Sequence, residues 1–532
     1  MAEATPEPAP EPRAGRLALS TAFFSFATGL SRIAGLVREI VAASYFGVRG
    51  PMSAFTIAFQ VPNLIRSLFA DAALQAAFVP IFTEQLETRS RHEAFRVASA
   101  LVFVISISLG LISAIFVLAA PWVMPLFAPG FSDELTDLTV NLAQLMFPIV
   151  LLLGLSGLVV GVLNSFDHFS VPAIAPLFWN LVIIGCLVGL TPLFDGDDRI
   201  YAYAIGIVLG TIVQLLLPLP WLRKTGFRLT RDFNWRDERV MRVLKLMLPV
   251  TLGIGLINFN LSVNSIFATL ISEEAPAAID KAFRIYMLPQ GVFAVALATV
   301  LFPTFSRLAA RRDLDGLRNV QGSGTRQMLL LLVPAAALML ILSEPITRIV
   351  YQRGEFDAAQ TDIVAEALFY FSLSLPFAGV NLIMIRTFFS LQLPWRPTQI
   401  ALANLGVNAA LDALLYKPMG VGGITLATAI VSFVTTVALA ITLRREIGGV
   451  DMARTVRAGT RILAAGALCA AVALGVREAL DGLEDTLLQQ TVLVAAASAA
   501  GLMAYVTVVM TTRVEEARQI SALVRGQLAR LR

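Results

Sequence analysis

Arg32, Arg38, Arg66, Arg284 and Arg386 all fall inside long apolar stretches of this sequence. Glu39 follows Arg38 directly. Asp71 follows Arg66 in a stretch already broken by Pro62 and Asn63. An arginine at the centre of a membrane helix costs on the order of 3 kcal/mol on insertion scales. Such charges face a bundle interior or a wet cavity, and a functional reading is the first one to try. A guanidinium stays charged at any relevant pH, so the chemistry indicated is the holding of an anion rather than proton transfer. Structural readings stand beside this. Arg38 and Glu39 could form an internal ion pair closing a gap between helices. Arg284 could snorkel to an interface. Arg386 is near Trp395-Arg396, which marks a membrane edge. Arg66 and Asp71 are five apart and do not share a helix face, which argues against a simple intrahelical pair.

The elements that must carry these residues are membrane helices. The chain has 532 residues, 57% hydrophobic and 15% charged, where a soluble domain would carry about 25% charged. A bilayer core of about 30 Å needs about 20 apolar residues in a helix. The stretches 17–46 and 51–83 are long enough despite their charges, and fourteen apolar segments can be counted in all. Arginines crowd alternate connections: Arg89 and Arg91, the run from Arg223 to Arg239, Arg307 to Arg318, Arg444 to Arg457, and the tail. The other connections are acidic, as at Asp133, Asp195, Glu273 and Asp481. This is the positive-inside pattern, and it puts both termini in the cytoplasm.

Residues 1–16 lack the apolar core of a signal peptide and read as a disordered cytoplasmic tail. The basic linker 223–239 reads as a topology determinant near anionic lipid, not as a nucleic-acid site. Residues 513–532 read as a short amphipathic interfacial helix. Cys186 and Cys469 lie in apolar runs and suggest no disulfide. His92 and His168 are isolated, which argues against a metal centre.

Features recur at an offset of about 224 residues. Ala58-Phe59 recurs as Ala282-Phe283, the loop at Gly130-Phe131 as Gly354 and Phe356, and Leu222-Arg223-Lys224 as Leu443-Arg444-Arg445. The repeat pairs helices 1–6 with 7–12. Six is even, so both halves share one orientation and a pseudo-twofold axis runs along the membrane normal, with a site between the lobes. The expectation is an all-α polytopic membrane protein of 14 transmembrane helices. Its parts are an N-lobe at 17–222, a C-lobe at 240–443 and two further helices at 456–512. Pro289, in Leu288-Pro289-Gln290-Gly291, frees backbone where a helix can bend.

The stretches Ser31-Arg32 with Gly35 and Arg38-Glu39, then Pro62-Asn63 with Arg66 and Asp71, then Val171-Pro172 to Pro176 with Asn180, then Leu288 to Phe293, resemble the lipid II flippase family, MurJ or MviN. That family lies within the multidrug/oligosaccharidyl-lipid/polysaccharide exporter superfamily. The resemblance runs through essentially the whole chain after residue 16. It implies a transporter, not an enzyme, of the inner (cytoplasmic) membrane. The implied substrate is the undecaprenyl-pyrophosphate-linked peptidoglycan precursor, moved to the outer leaflet by alternating access. By the same resemblance Arg32, Arg38, Arg66 and Arg284 are the cavity arginines that hold the pyrophosphate, and Asn63 and Asp71 match positions tied to the family's function. Ser31 is expected beside the substrate, and Glu39, Asp71, Arg386, Pro62 and Pro289 are expected to support or gate. Residues 456–512 become a groove for the lipid tail. The implied partners are lipid II, membrane lipids and the cell-wall synthesis machinery, and a monomer is expected.

The chain departs from the family's pattern in places. Ser53 and Phe283 stand where the family usually has aspartate. A sodium site in some members uses a carboxylate in helix 7 and an Asn-x-x-x-Asp pair in helix 11. Here those positions read as Ala268 and as Asn404 with Asn408, which speaks against sodium and leaves membrane potential or chloride for coupling. A flippase for another lipid-linked oligosaccharide of O-antigen type is the alternative. A membrane glycosyltransferase is more remote, since it needs a catalytic carboxylate in a sizeable outer loop.

Overall fold

The computed structural model describes residues 12–69, 72–166, 168–230, 234–480, 482 and 486–518. Among these, the side chains of 12–25, 66–69, 72–76 and 248–258 are outside the description. The described residues form helices and turns and no strand. Among the described residues, ten helical stretches are long and apolar enough to cross a membrane. Most of the tail expected at 1–16, most of that at 513–532, and Asp71 lie outside the described residues. Helix α1 (Pro12–Phe46) begins earlier than the apolar run does. Proline at a first helical turn loses no hydrogen bond, and its fixed φ suits a helix start.

Contacts divide the chain into two compact units. One takes the described residues up to Ala42, then Ile57–Leu126 and Asp133–Asn258. The other takes Ala43–Thr56, Phe127–Ser132 and everything from Phe259 on. The halves read from the repeat are thus not the contact units. The linker at 223–239 and the first part of α10 (Glu238–Thr269) go with the first unit.

The first unit contains most of α1 and α2 (Gly50–Phe69), then α3 (Ala72–Thr88), α4 (Arg91–Phe127), α5 (Asp133–Met146), α6 (Ile149–Ser165), α7 (Ser170–Leu190), α8 (Tyr201–Leu216) and α9 (Leu219–Lys224). Helix α3 packs on α6, and α7 on α8. Phe116 and Phe147 stack with centroids 3.7 Å apart. At the basic end, Arg239 holds three segments together. It meets Asp237 at 2.7 Å and Glu93 at 2.9 Å, and donates to Gln85 at 3.2 Å. Part of the basic linker is therefore pinned by ion pairs.

The second unit continues with α11 (Ala275–Pro289), α12 (Ala296–Ala310), α13 (Leu314–Ile341), α14 (Ser343–Tyr351), α15 (Ala358–Ser390), α16 (Trp395–Glu446), α17 (Met452–Ala479) and α18 (Leu487–Thr511). Between α11 and α12, Gln290–Val295 form a π-helical turn directly after Pro289. A proline removes one backbone donor and favours such a local widening. Helix α16 has 52 residues. At 1.5 Å per residue it would be about 78 Å long if straight, more than twice a bilayer core. It is instead a hairpin. Gly420 sits at φ 54°, ψ −133°, and Asn404 Nδ2 donates to Thr435 Oγ1 at 2.6 Å. That pair is 31 positions apart and can meet only if the chain reverses.

Helices α17 and α18 pack on each other and on α13 through Leu330, Val333, Ile462, Ala465 and Tyr505. Tyr505 Oη donates to the Leu330 carbonyl at 2.8 Å. Arg326 of α13 is buried between Glu516, which follows α18, and Asp451, at 3.2 Å, which precedes α17. These two helices are therefore fastened to the C-terminal half at their basic end and along their length.

The tips contributed by the first half are held by hydrogen bonds within this second unit. Glu355 N donates to Ser44 O at 2.9 Å, and Val48 N to Gln360 Oε1 at 3.0 Å. Ala277 N donates to Ser53 Oγ at 3.1 Å. Gly130 N donates to Thr269 Oγ1 at 3.3 Å, and Ser132 Oγ to Glu273 at 2.9 Å. A Cβ on Gly130 would come within 2.1 Å of Thr269 O, and one on Gly354 within 2.2 Å of Ser44 O. Each loop glycine thus meets the last turn of the other half's first helix.

Candidate functional site

Arg38 lies on α1 facing α7. Asn180 donates Nδ2 to the Pro176 carbonyl one turn back at 2.9 Å. That leaves its Oδ1 to accept from Arg38 Nη1 at 3.1 Å. Gly35, one turn before Glu39, lies against the same Asn180 amide. Arg38 Nη2 pairs with Glu39 at 2.5 Å, and its guanidinium lies over the Trp179 ring at 4.8 Å. Only 8% of Arg38 and 4% of Glu39 is exposed. The internal ion pair is therefore present, joined by a cation–π contact.

Arg32 is in a different position. It is exposed, and it has no ion pair among the described residues. Six residues along a helix amount to about 9 Å and a different face, so one helix separates a buried from an accessible guanidinium. Ser31 is half-buried, and its carbonyl accepts from Asn180 at 3.4 Å. In α2, Pro62 is buried and Asn63 half-buried. Arg66 falls on the same helix, with its side chain outside the description.

In the second unit Arg284 is 39% exposed and pairs with Asp280 one turn back at 3.1 Å. Arg386 of α15 is half-buried with its guanidinium over the Phe302 ring of α12 at 5.4 Å. Ser53, where the family usually has aspartate, accepts from the third residue of α11 and so caps that helix from outside.

The structure corrects the register read for helices 7 and 11. Asn404 bonds Thr435 rather than joining Asn408. Asn408 Nδ2 donates to Asp412 Oδ2 at 2.9 Å, so the Asn-x-x-x-Asp spacing is Asn408–Asp412. The helix 7 partner is Asn264, one turn before Ala268. The Asn264 amide lies between Thr428 Oγ1 at 3.1 Å and Asp412 Oδ2 at 3.0 Å. Asn408 and Asp412 are wholly buried. The Oδ1 atoms of Asn260, Asn408 and Asp412 are buried acceptors with no hydrogen-bond partner among the described residues. A buried carboxylate among orphaned oxygens suits a hard cation. Sequence reading missed this group, although an aspartate inside an apolar run was the available signal.

An all-helical architecture of long apolar helices is that of a multi-pass membrane protein, and known structures share this fold. The chain superposes on an inward-facing multidrug resistance transporter of the MATE family, MOP superfamily, with TM-score 0.66 and 15% identity, over 79% of this chain and 94% of that one. It superposes on a lipid II flippase MurJ in an inward closed conformation with TM-score 0.76 and 23% identity, over 92% of this chain and 98% of that one.

Sequence separates the two. The lipid II flippase MurJ family model matches residues 42–513. The probable lipid II flippase MurJ of Rhizobium tropici is 36% identical over 78% of this chain and 79% of its own length. The lipid II flippase MurJ of Burkholderia cenocepacia is 30% identical over 79% of this chain and 82% of its own. The chain belongs to the lipid II flippase MurJ family and is a multi-pass membrane transporter, not an enzyme.

Proposed function

We propose that the chain moves lipid II from the cytoplasmic to the outer leaflet of the inner membrane by alternating access, with its pyrophosphate held by cavity arginines. The observation that carries the headgroup site is Arg32: an accessible guanidinium, without an ion pair among the described residues, on the same helix as the buried Arg38–Glu39 pair. A diphosphate entering a cavity loses water, and planar guanidinium forks from several helices replace it. Arg284 is the second accessible donor, and the family resemblance assigns Arg66 to the same set. Arg38 acts mainly by fixing α1 to α7, because its Nη1 and Nη2 groups already serve Asn180 and Glu39.

In this reading fourteen segments cross the membrane with both termini on the basic side. The matching contacts of Gly130 with Thr269 and of Gly354 with Ser44 support a twofold relation between the halves. Opening toward the acidic side requires the bonds of Ser44, Val48, Ser53 and Gly130 to part. Asn264, Asn408, Asp412 and Thr428 would hold a coupling cation, which supplies the counter-charge that the buried Asp412 carboxylate lacks. When it leaves, Asp412 must be neutralised or hydrated, so occupancy is tied to the packing of three helix arms.

The test is depletion and rescue in a host whose own lipid II flippase is switched off. Wild type should rescue, and Arg32→Ala and Arg284→Ala should fail at matched insertion. Failure of a well-inserted wild type would point instead to another lipid-linked oligosaccharide. Rescue by both variants would reduce these arginines to structural charges.

A further inference from the structure

At the basic end of the α16 hairpin the two arms leave a cleft of about 360 Å³. Its polar lining is Arg396, Gln399, Thr442, Arg445 and Glu446, and its apolar wall is Ile400 and Ala403. Arg396 Nε donates across the cleft to Glu446 Oε1 at 3.0 Å, which orients one guanidinium. Arg445 is exposed and makes no ion pair among the described residues. Two guanidinium groups against one carboxylate leave the cleft with a net positive charge.

The surroundings point to an amphipathic anion. Trp395, beside Arg396, is 59% exposed, as an aromatic side chain at headgroup level would be. One residue along each arm from the cleft lining, Leu402 and Ile441 are exposed apolar side chains. Basic pockets between helices on the cytoplasmic side are suited to acidic lipid headgroups. We propose that this cleft binds the phosphodiester headgroup of an anionic phospholipid in the leaflet at the basic end of the bundle, with Arg445 and the Nη groups of Arg396 donating to the phosphate. Glu446 fixes Arg396 and at the same time holds the affinity down. A free phosphate ion shares the headgroup's charge but makes no use of Ile400, Ala403, Leu402 or Ile441. The site is separate from the cavity arginines and does not depend on the transport reading.

The experiment is native mass spectrometry of the full chain in detergent, titrated with phosphatidylglycerol, with phosphatidylcholine as the zwitterionic control and excess inorganic phosphate as competitor. The wild type should bind phosphatidylglycerol selectively and keep it in the presence of phosphate. Arg396→Gln with Arg445→Gln should weaken the tightest site about thirtyfold, as expected for two interfacial basic residues, and leave phosphatidylcholine adducts unchanged. Glu446→Gln should tighten it. Unchanged binding in the double variant, or weaker binding in Glu446→Gln, would overturn the proposal. Full displacement by inorganic phosphate would overturn the lipid as occupant.

Discussion

Ser53 Oγ accepts the backbone N–H of Ala277 at 3.1 Å, and the two residues stand 224 positions apart, the spacing of the internal repeat. The hydroxyl satisfies one of the orphan donors at the start of α11, whose own flanking residue Glu274 makes no side-chain cap. Ser53→Ala should lower stability by about 1 kcal/mol, the usual worth of a capping oxygen. Ser53→Asp should raise it, since a carboxylate at a helix N-terminus also meets the positive end of the helix dipole. Thermal unfolding in detergent reads both. If this bond must part for the acidic side to open, Ser53→Asp should also slow transport while raising the melting temperature.

Arg38 and Arg32 should separate by phenotype. Truncating Arg38 breaks a buried ion pair with Glu39 and the bond to Asn180, at a cost of about 3–5 kcal/mol. Arg38→Ala should therefore lose folded protein in the membrane before any loss of substrate binding can be scored. Arg32→Ala removes an exposed side chain and should insert and melt like wild type while failing to rescue. The check is size-exclusion recovery after heating, run alongside the rescue assay. Equal melting of the two variants would contradict the division drawn between them.

The sequence showed some parts of this molecule better than others, for physical reasons. Apolar runs and alternating loop charge are local properties, so the helices and the break after Pro289 could be read directly. The repeat offset also paired Gly130 with Gly354 as an expectation. Their contacts with Thr269 and Ser44 could not be read, because a backbone approach between distant segments leaves no periodic signal. Ser53 looked like a lost aspartate, and its capping role needs the position of α11. The Asp412 cluster was missed by one helical turn: Asn404, Asn408 and Asp412 share a face at spacing four, and only the partners on α10 and the second arm of α16 separate them.

Asp237 gives a pH prediction away from the membrane. Its hydrogen bond from the Arg239 guanidinium holds its carboxyl below the usual range. A carboxylate whose folded pKa is depressed adds stability above its unfolded pKa, near 4, and loses it as pH falls through the lower folded value. Wild type should therefore lose stability on acidification below about pH 4. Asp237→Asn should start slightly less stable and lose less over that interval. Both side chains are about one-fifth exposed, so the difference should be about 1 kcal/mol or less. Melting curves between pH 6 and pH 3 give the comparison.

Asp412 tests whether transport is coupled to a cation. The carboxylate is buried with Asn408 and Asn264 as amide neighbours, and uncompensated buried charge is strongly unfavourable. A bound monovalent cation would remove that penalty and stabilise the fold by mass action. Wild type should therefore melt higher in sodium than in a large organic cation at the same ionic strength. Asp412→Asn keeps the shape, removes the charge and should abolish the difference, with a melting point in the organic cation at least as high as wild type. Asn404→Ala, one turn along the same helix face but bonded to Thr435, should keep the sodium effect. A sodium shift that survives in Asp412→Asn would place the cation elsewhere and leave Asp412 as a neutral, packed side chain.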